Sequence, residues 1–348
     1  MSATIGRRPV WLKAAPLVVL VVVLALVPQL LNPFWTTRVT TWLVWAIAAM
    51  GLNLLVGFNG QISIGHGALF GLGAYACGIW VDRANGQFLM GVVVAAVVAF
   101  VAGVVIGLPA LRVRGLALAL LTIAVAAIFP DLVLRFSSLT GGTNGLQIQV
   151  PTPYRGEVVD RAAKWTAPEW TGLAPDQWRF YVYSAAMVLC LLAVAALVRS
   201  RTGRALVAIR DNEVAAEVNG INVDRMKVIT FGLSGALAGI GGAMFALIDL
   251  TLTPDAFRLL LSLNLLVMIV LGGLGTVAGP VVGALTIGFF EDVIRKEVLP
   301  SDLGLVTPIV LGVLLILSMQ FAPGGTVGSI HHLGEALRHR RERRAAAA

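Results

Sequence analysis

Residues 201–220 read RTGRALVAIRDNEVAAEVNG, and they interrupt a chain that is otherwise one apolar run after another. Between Arg199 and Lys227 the chain gathers six basic and four acidic residues. At roughly 2.5–3.5 kcal/mol for each charge at a bilayer centre, burying them all would cost on the order of 30 kcal/mol, so this segment has to leave the membrane. Ala205 to Val218 holds no Gly or Pro, is rich in Ala, and places Leu206, Ile209 and Glu213 or Val214 at helical spacing before Asn219-Gly220 supplies a left-handed stop. The pattern predicts one short helix, about 20 Å long, lying under the membrane.

The rest of the chain sets the solvent. Of 348 residues 58% are hydrophobic and only 13% charged, against about a quarter charged in soluble domains. The mean hydropathy is +0.87, that of an integral membrane protein. Apolar runs fall at 14–31, 39–58, 62–81, 88–111, 115–135, 179–198, 227–250, 259–278, 280–294 and 303–321. A single crossing needs about 20 such residues. The run at 280–294 opens on Pro280 and ends with Glu291 and Asp292, so it either crosses or re-enters. Eight to ten spans are expected, in an all-α polytopic bundle with broken helices and a helix outside the membrane. The opening GRRPVWLK and the run from Ala14 to Leu31 read as an uncleaved first span rather than a signal sequence.

Charge gives the orientation. With the N-terminus inside and every run crossing, 16 of the 26 Lys and Arg fall on the inner side, as the positive-inside rule requires. Trp35, Trp42, Trp80 and Trp178 then lie near the outer interface and Trp11 near the inner one, the level Trp prefers. The expected organisation is a cytoplasmic N-terminus (1–13), a membrane domain (14–321) and a basic cytoplasmic tail (322–348). The membrane domain carries an outer loop at 136–178 and the inner charged loop at 199–227. A net charge of +8 with Arg scattered between apolar runs fits orientation signals and anionic headgroups, not a nucleic-acid groove.

Two stretches stand out inside the apolar runs. GFNGQISIGHGALFGLGAY, residues 57–75, combines six glycines with Asn59, Gln61, Ser63 and His66. Close helix packing and a helix interruption lining a pathway both account for it. His66 is open to the same pair of readings, a bond to a neighbouring helix or a contact with solute. LGGLGTVAGP, residues 271–280, offers Gly272, Gly273 and Gly275 as a second break, with backbone groups available to a zwitterion or to neighbouring helices. LNLLV occurs twice, at 52–56 and 263–267, but the topology runs both copies in one direction, against an inverted repeat.

Other chemistries find little footing. No phosphate-binding GxxxxGK[ST] occurs, and LSGAL at 233–237 lies in an apolar span, where it serves helix packing. His66, Asp131, Asp249, Glu291 and Asp292 are the candidates for a proton relay, yet all but His66 sit towards span ends. An ion-coupled secondary carrier, with sodium on backbone carbonyls of broken helices, stays as the alternative. There is no metal constellation, since His331, His332 and His339 belong to an Arg-rich tail, and no catalytic triad, since Ser63 and His66 lack an oriented acid. Cys77 and Cys190 stand alone as buried hydrophobes. No cofactor is expected.

A resemblance gives these pieces a common meaning. GRALVAIRDNEVAAEVNGINVDRMKVITFGLSGALAGIGGAMFA at 203–246 resembles the cytoplasmic coupling loop and following span of the permease subunits of branched-chain amino acid ABC transporters. GLNLLVGFNGQISIGHGALFGLGAYACG at 51–78, LALALLTIAVAAIF with SLTGGTNGL within 116–146, and LLVMIVLGGLGTVAGPVVGA at 265–284 match the same family in the same order. The resemblance implies a non-catalytic permease of a bacterial-type inner membrane that grips a cytoplasmic ATPase. By position in the motif it assigns that grip to Gly203, Arg204, Ala208, Arg210, Asp211, Asn212, Ala215, Ala216 and Gly220. The chain departs from the family at Val218-Asn219, where relatives carry a small or sulfur-containing residue. The resemblance further implies a second homologous permease, two ATP-binding subunits and an extracytoplasmic binding protein. The expected solute is a branched-chain amino acid or a related small polar solute such as urea or a short amide.

Overall fold

A computed structural model describes residues 10–84, 87–113, 115–148, 167, 171–249 and 251–293, with positions 312, 313, 316, 320, 325 and 326 farther on. The chain is built from helices α1 (Val10–Leu30), α2 (Pro33–Asn53), α3 (His66–Arg83), α4 (Phe88–Ala110), α5 (Leu116–Arg135), the single turn α6 (Ser137–Thr140) and α7 (Pro175–Arg199). Then follow α8 (Arg201–Asp211), α9 (Glu213–Val218), α10 (Val223–Ala246), α11 (Leu259–Gly272) and α12 (Gly279–Val293). Among the described residues, five helical stretches are long and apolar enough to cross a membrane: α2 with its continuation to Phe58, α4, α5 from Ala117, α7 and α10. The N-terminal residues 1–9, most of the outer loop (149–166 and 168–170), most of the run at 303–321 and nearly all of the basic tail lie outside the described residues.

Helix α10 is the hub, packed on α2, α3 and α4. Glycine makes that possible, because a helix bundle in lipid gains its stability from close backbone approach rather than from excluding water. A Cβ at Gly242 would overlap the carbonyl of Phe70 in α3, and one at Gly73 would overlap the backbone of Gly239 in α10. Helix α2 is the most enclosed, with 83% of its apolar window buried, whereas α4 buries only 22% of its own and presents Leu89, Val93, Val97, Val101 and Val105 outward. At the end opposite α8, Phe257 packs on Phe70, Tyr75, Phe129 and Phe245. Beside it the short strands β1 (Leu146–Gln147) and β2 (Thr251–Leu252) pair antiparallel, and Tyr75 donates to the carbonyl of Leu252 at 2.9 Å.

Both glycine-rich stretches break a helix. Helix α2 passes through a π-helical turn at Leu54–Phe58 and then loses helical form over residues 59–65 before α3 begins at His66. The second break makes a hairpin: α11 and α12, of 14 and 15 residues, pack against each other through Gly272, Gly279 and Gly283. At about 21 Å, α11 is shorter than a hydrocarbon core of about 30 Å. Asp292 near the end of α12 meets Arg38 at 3.3 Å and accepts from the Trp42 indole at 3.0 Å, partway along α2. The two runs at 259–278 and 280–294 therefore form the arms of one hairpin in this structure.

The charged segment differs from the single helix the sequence predicts. It forms two helices, α8 and α9, separated at Asn212, whose backbone is extended (φ −159°, ψ 108°). Asn212 caps α9 by accepting from the Ala215 amide at 3.0 Å. The short amide side chain offers the backbone a partner that a helix interior would not use, and the helix restarts there.

Candidate functional site

The charged segment is anchored before it is displayed. Ser200 caps α8, accepting from the amides of Thr202 and Gly203 at 3.1 and 3.4 Å. Leu206 enters a cluster with Leu54 and Phe58 of the π-turn, while Ile209, Ala216 and Val223 form a second. Among the residues expected to grip a partner, Gly203 and Ala216 are buried, and a Cβ at Gly203 would overlap the backbone of Val198. Their place is in the loop's own packing. Arg204, Arg210, Asp211, Asn212, Ala215 and Gly220 are exposed and Ala208 half-buried. With them stand Val214 and Val218, 65% and 83% exposed and one helical turn apart on α9. Sequence reasoning missed this pair, although its spacing of four residues was legible.

Arg210 turns back towards the bundle. Its Nη1 donates to the carbonyl of Gly57 at 2.8 Å, while Nη2 lies 3.1 Å from Asp211 Oδ1. A Cβ at Gly60 would meet Arg210 Cγ at 2.9 Å, so the guanidinium arm lies flat on the unwound strand. A buried asparagine joins the second break to the first: Asn53 donates to the carbonyl of Thr276 at 2.8 Å and accepts from the amide of Gly275 at 3.0 Å. A Cβ at Gly57 would overlap Asn53 Oδ1 and meet the Gly275 nitrogen at 2.5 Å. Thus the charged helix, the unwound strand and the hairpin turn meet at one place through Arg210, Gly57, Asn53 and Gly275. Asn53 is the member that sequence reasoning missed, since an isolated Asn in an apolar helix carries no local signal of its partner.

The remaining path candidates separate into two groups. Asn59 and Gln61 line a cavity of about 230 Å³ that also borders Arg210, Asp211 and Asn212. Ser63 and His66 lie deeper and outside that cavity: His66 is fully buried with Nε2 3.4 Å from Ser234 Oγ, which itself donates to the Gly51 carbonyl at 2.6 Å. The strand between them is held to α5, where the Ile64 amide donates to Thr122 Oγ1 at 3.0 Å. Gly272 and Gly273 serve close approach, and Thr326 Oγ1 donates to the Gly272 carbonyl at 3.2 Å. Lys227 at the start of α10 pairs with Glu213 at 2.5 Å and closes the far side of the charged segment. Among the described residues no group of three His, Cys, Asp or Glu is placed to hold a metal ion.

Apolar helices, two of them broken, whose breaks meet under a charged helical segment, define a multi-pass membrane transport protein. Residues 36–319 match the family described as branched-chain amino acid transport system / permease component, and the chain belongs to that family of ABC transporter permeases. It is 31% identical over 308 residues to the high-affinity branched-chain amino acid transport system permease protein LivM of Escherichia coli K12, an alignment covering 84% of this chain and 71% of the relative. It is 26% identical to LivH of the same strain, covering 83% and 93%, and 27% identical to the ribose import permease protein RbsC, also of that strain, covering 82% and 88%. No solved structure matches the chain.

Proposed function

We propose that this chain is the membrane-spanning permease of an ATP-driven importer for branched-chain amino acids, with α8 and α9 on the cytoplasmic side as the coupling element. The single observation that carries the reading is the Arg210–Gly57 hydrogen bond, because it attaches a charged, partner-ready segment to the unwound strand, and through Asn53 to the hairpin turn. Two cytoplasmic ATP-binding subunits engage α8–α9 through Arg204, Asp211, Ala215, Val214 and Val218, and their closure pulls on both breaks. A homologous permease completes the pore; similarity to both LivM and LivH supports such a pairing. An extracytoplasmic binding protein delivers solute at the end bearing β1 and β2. Both termini are cytoplasmic, as the charge distribution and the packing of Gly325 and Thr326 near the hairpin turn suggest.

The solute class follows the named function of the 31% identical relative, against the sugar named for the 27% identical one. Uptake of leucine and of ribose into sealed vesicles holding this chain and its partner subunits tests the reading. ATP-dependent accumulation of leucine but not ribose supports it. Leucine uptake that persists without ATP and collapses with the ion gradient contradicts it and favours a secondary carrier.

A further inference from the structure

Lys227 stands near the start of α10 with its side chain only 9% exposed, and its Nζ lies 2.5 Å from Oε1 of Glu213, the first residue of α9. Lysine is seldom enclosed to this degree unless it is paired. Taking two charges out of water is costly, and an apolar pair of similar volume often serves stability as well or better. What an enclosed ion pair adds is direction. It is satisfied in one relative placement of its two helices, and removing one partner leaves the other charge uncompensated.

The pair completes a brace between α9 and α10. Between the two residues the chain turns at Gly220 (φ +82°), where the Gly220 amide donates to the Glu217 carbonyl at 2.9 Å and the Ile221 amide to that of Ala216 at 3.1 Å. Asn222 then caps α10, accepting from the Arg225 amide at 2.9 Å. Across this corner Ala216 packs with Val223, and Ile209 of α8 joins them. Glu213 stands one turn before Ala216 and Lys227 one turn beyond Val223, so the ion pair closes the corner at its open end. The joint between α9 and α8, by contrast, is the single extended residue Asn212.

We propose that Glu213 and Lys227 are positioning residues that carry movement of α9 into α10, a line of transmission separate from the Arg210–Gly57 bond. The proposal rests on the reading of α8 and α9 as the element gripped by the ATP-binding subunits. Val214, beside Glu213, and Val218 stand outward on α9, so a partner that draws on them draws α9 together with the first turns of α10. Helix α10 packs on α2, α3 and α4, and its displacement is felt by all three. The two lines leave the charged segment on either side of the break at Asn212, Arg210 towards the unwound strand and Glu213 towards the hub helix. Lys227 is 7% exposed, so it serves this role from within the chain rather than by touching the partner.

The test is the ratio of leucine transported to ATP hydrolysed by the assembled transporter in sealed vesicles. Lys227→Met keeps an unbranched stem without the ammonium. It should leave co-purification of the ATP-binding subunits intact and lower the ratio by about fivefold or more, the lower edge of ordinary coupling between sites. Glu213→Gln should lower the ratio likewise, and it covers the case in which Lys227→Met does not assemble. The two together should lower it no further than either alone, because both remove one contact. Lys227→Arg returns a cation to the carboxylate and should recover most of the loss. A pair that only holds the fold would reduce the yield of assembled transporter while the ratio in the assembled fraction stays at the wild-type value. That result would overturn the proposal, as would losses that multiply in the double variant. Wild-type transporter separates the two readings. ATP-driven uptake whose ratio is indifferent to these variants removes the Glu213–Lys227 line alone, and absence of ATP-driven uptake in the wild type removes the coupling reading itself.

Discussion

Asn53 accepts a hydrogen bond from the amide of Gly275, 222 positions farther along the chain, at 3.0 Å, and donates to the neighbouring carbonyl of Thr276 at 2.8 Å. One buried side chain thereby fixes the hairpin turn against the π-turn of α2. Truncation by Asn53→Ala leaves a backbone donor and acceptor unpaired, at about 1–3 kcal/mol for each group. A loss of about 2–6 kcal/mol in resistance to unfolding is expected on that basis, read from denaturant titration in detergent micelles, with the largest gain in hydrogen exchange at Gly275.

Glycines divide into those that admit another backbone and those that only bend their own. Gly242→Ala places a methyl group on the Phe70 carbonyl and should separate α3 from α10, costing about 1–3 kcal/mol by overpacking and lowering the folded yield on size exclusion. Gly220 has φ +82°, but a methyl group added there would have no atom within 4 Å, so Gly220→Ala should cost only left-handed strain, about 1–2 kcal/mol.

The restart of the helix at Asn212 depends on its side chain. Asn212→Ala removes the cap on α9 and should cost about 1 kcal/mol, with faster hydrogen exchange at Ala215 and Ala216; Asn212→Asp should keep the cap and the protection.

Val214 and Val218 stand outward on α9 without burying their side chains in this chain. Val218→Asp should change stability by no more than about 0.5 kcal/mol, as exposed substitutions do. Co-purification with the ATP-binding subunits should fall sharply. Retained co-purification would move the contact to α8.

Much of this was legible in the residues and some was not. Ten charges between Arg199 and Lys227 set that segment apart from the apolar runs, and glycines beside Asn59 and Gln61 offered a break beside close packing, so the helical bundle and the positions of both interruptions were legible in composition and spacing. The division at Asn212 was hidden, because Asn is tolerated in a helix and only its contact with Ala215 decides for a cap. The meeting of Arg210 with Gly57 was hidden more deeply. Its partner is a buried backbone carbonyl 153 positions away, at the end of the π-turn, and no side-chain pattern records a carbonyl. Likewise the two LNLLV copies gave no hint that Asn53 would bridge to the hairpin turn while Asn264 donates to Glu291.

In the proposed function, Arg210 transmits movement of the charged segment to the unwound strand. The most direct measurement is the ratio of leucine transported to ATP hydrolysed by the assembled transporter carrying Arg210→Ala, in a preparation whose ATP-binding subunits still co-purify. Hydrolysis should continue while leucine transport falls by about tenfold or more, the equivalent of about 1.4 kcal/mol of lost coupling. An unchanged ratio in that variant would contradict it and leave the Arg210–Gly57 bond as a packing contact.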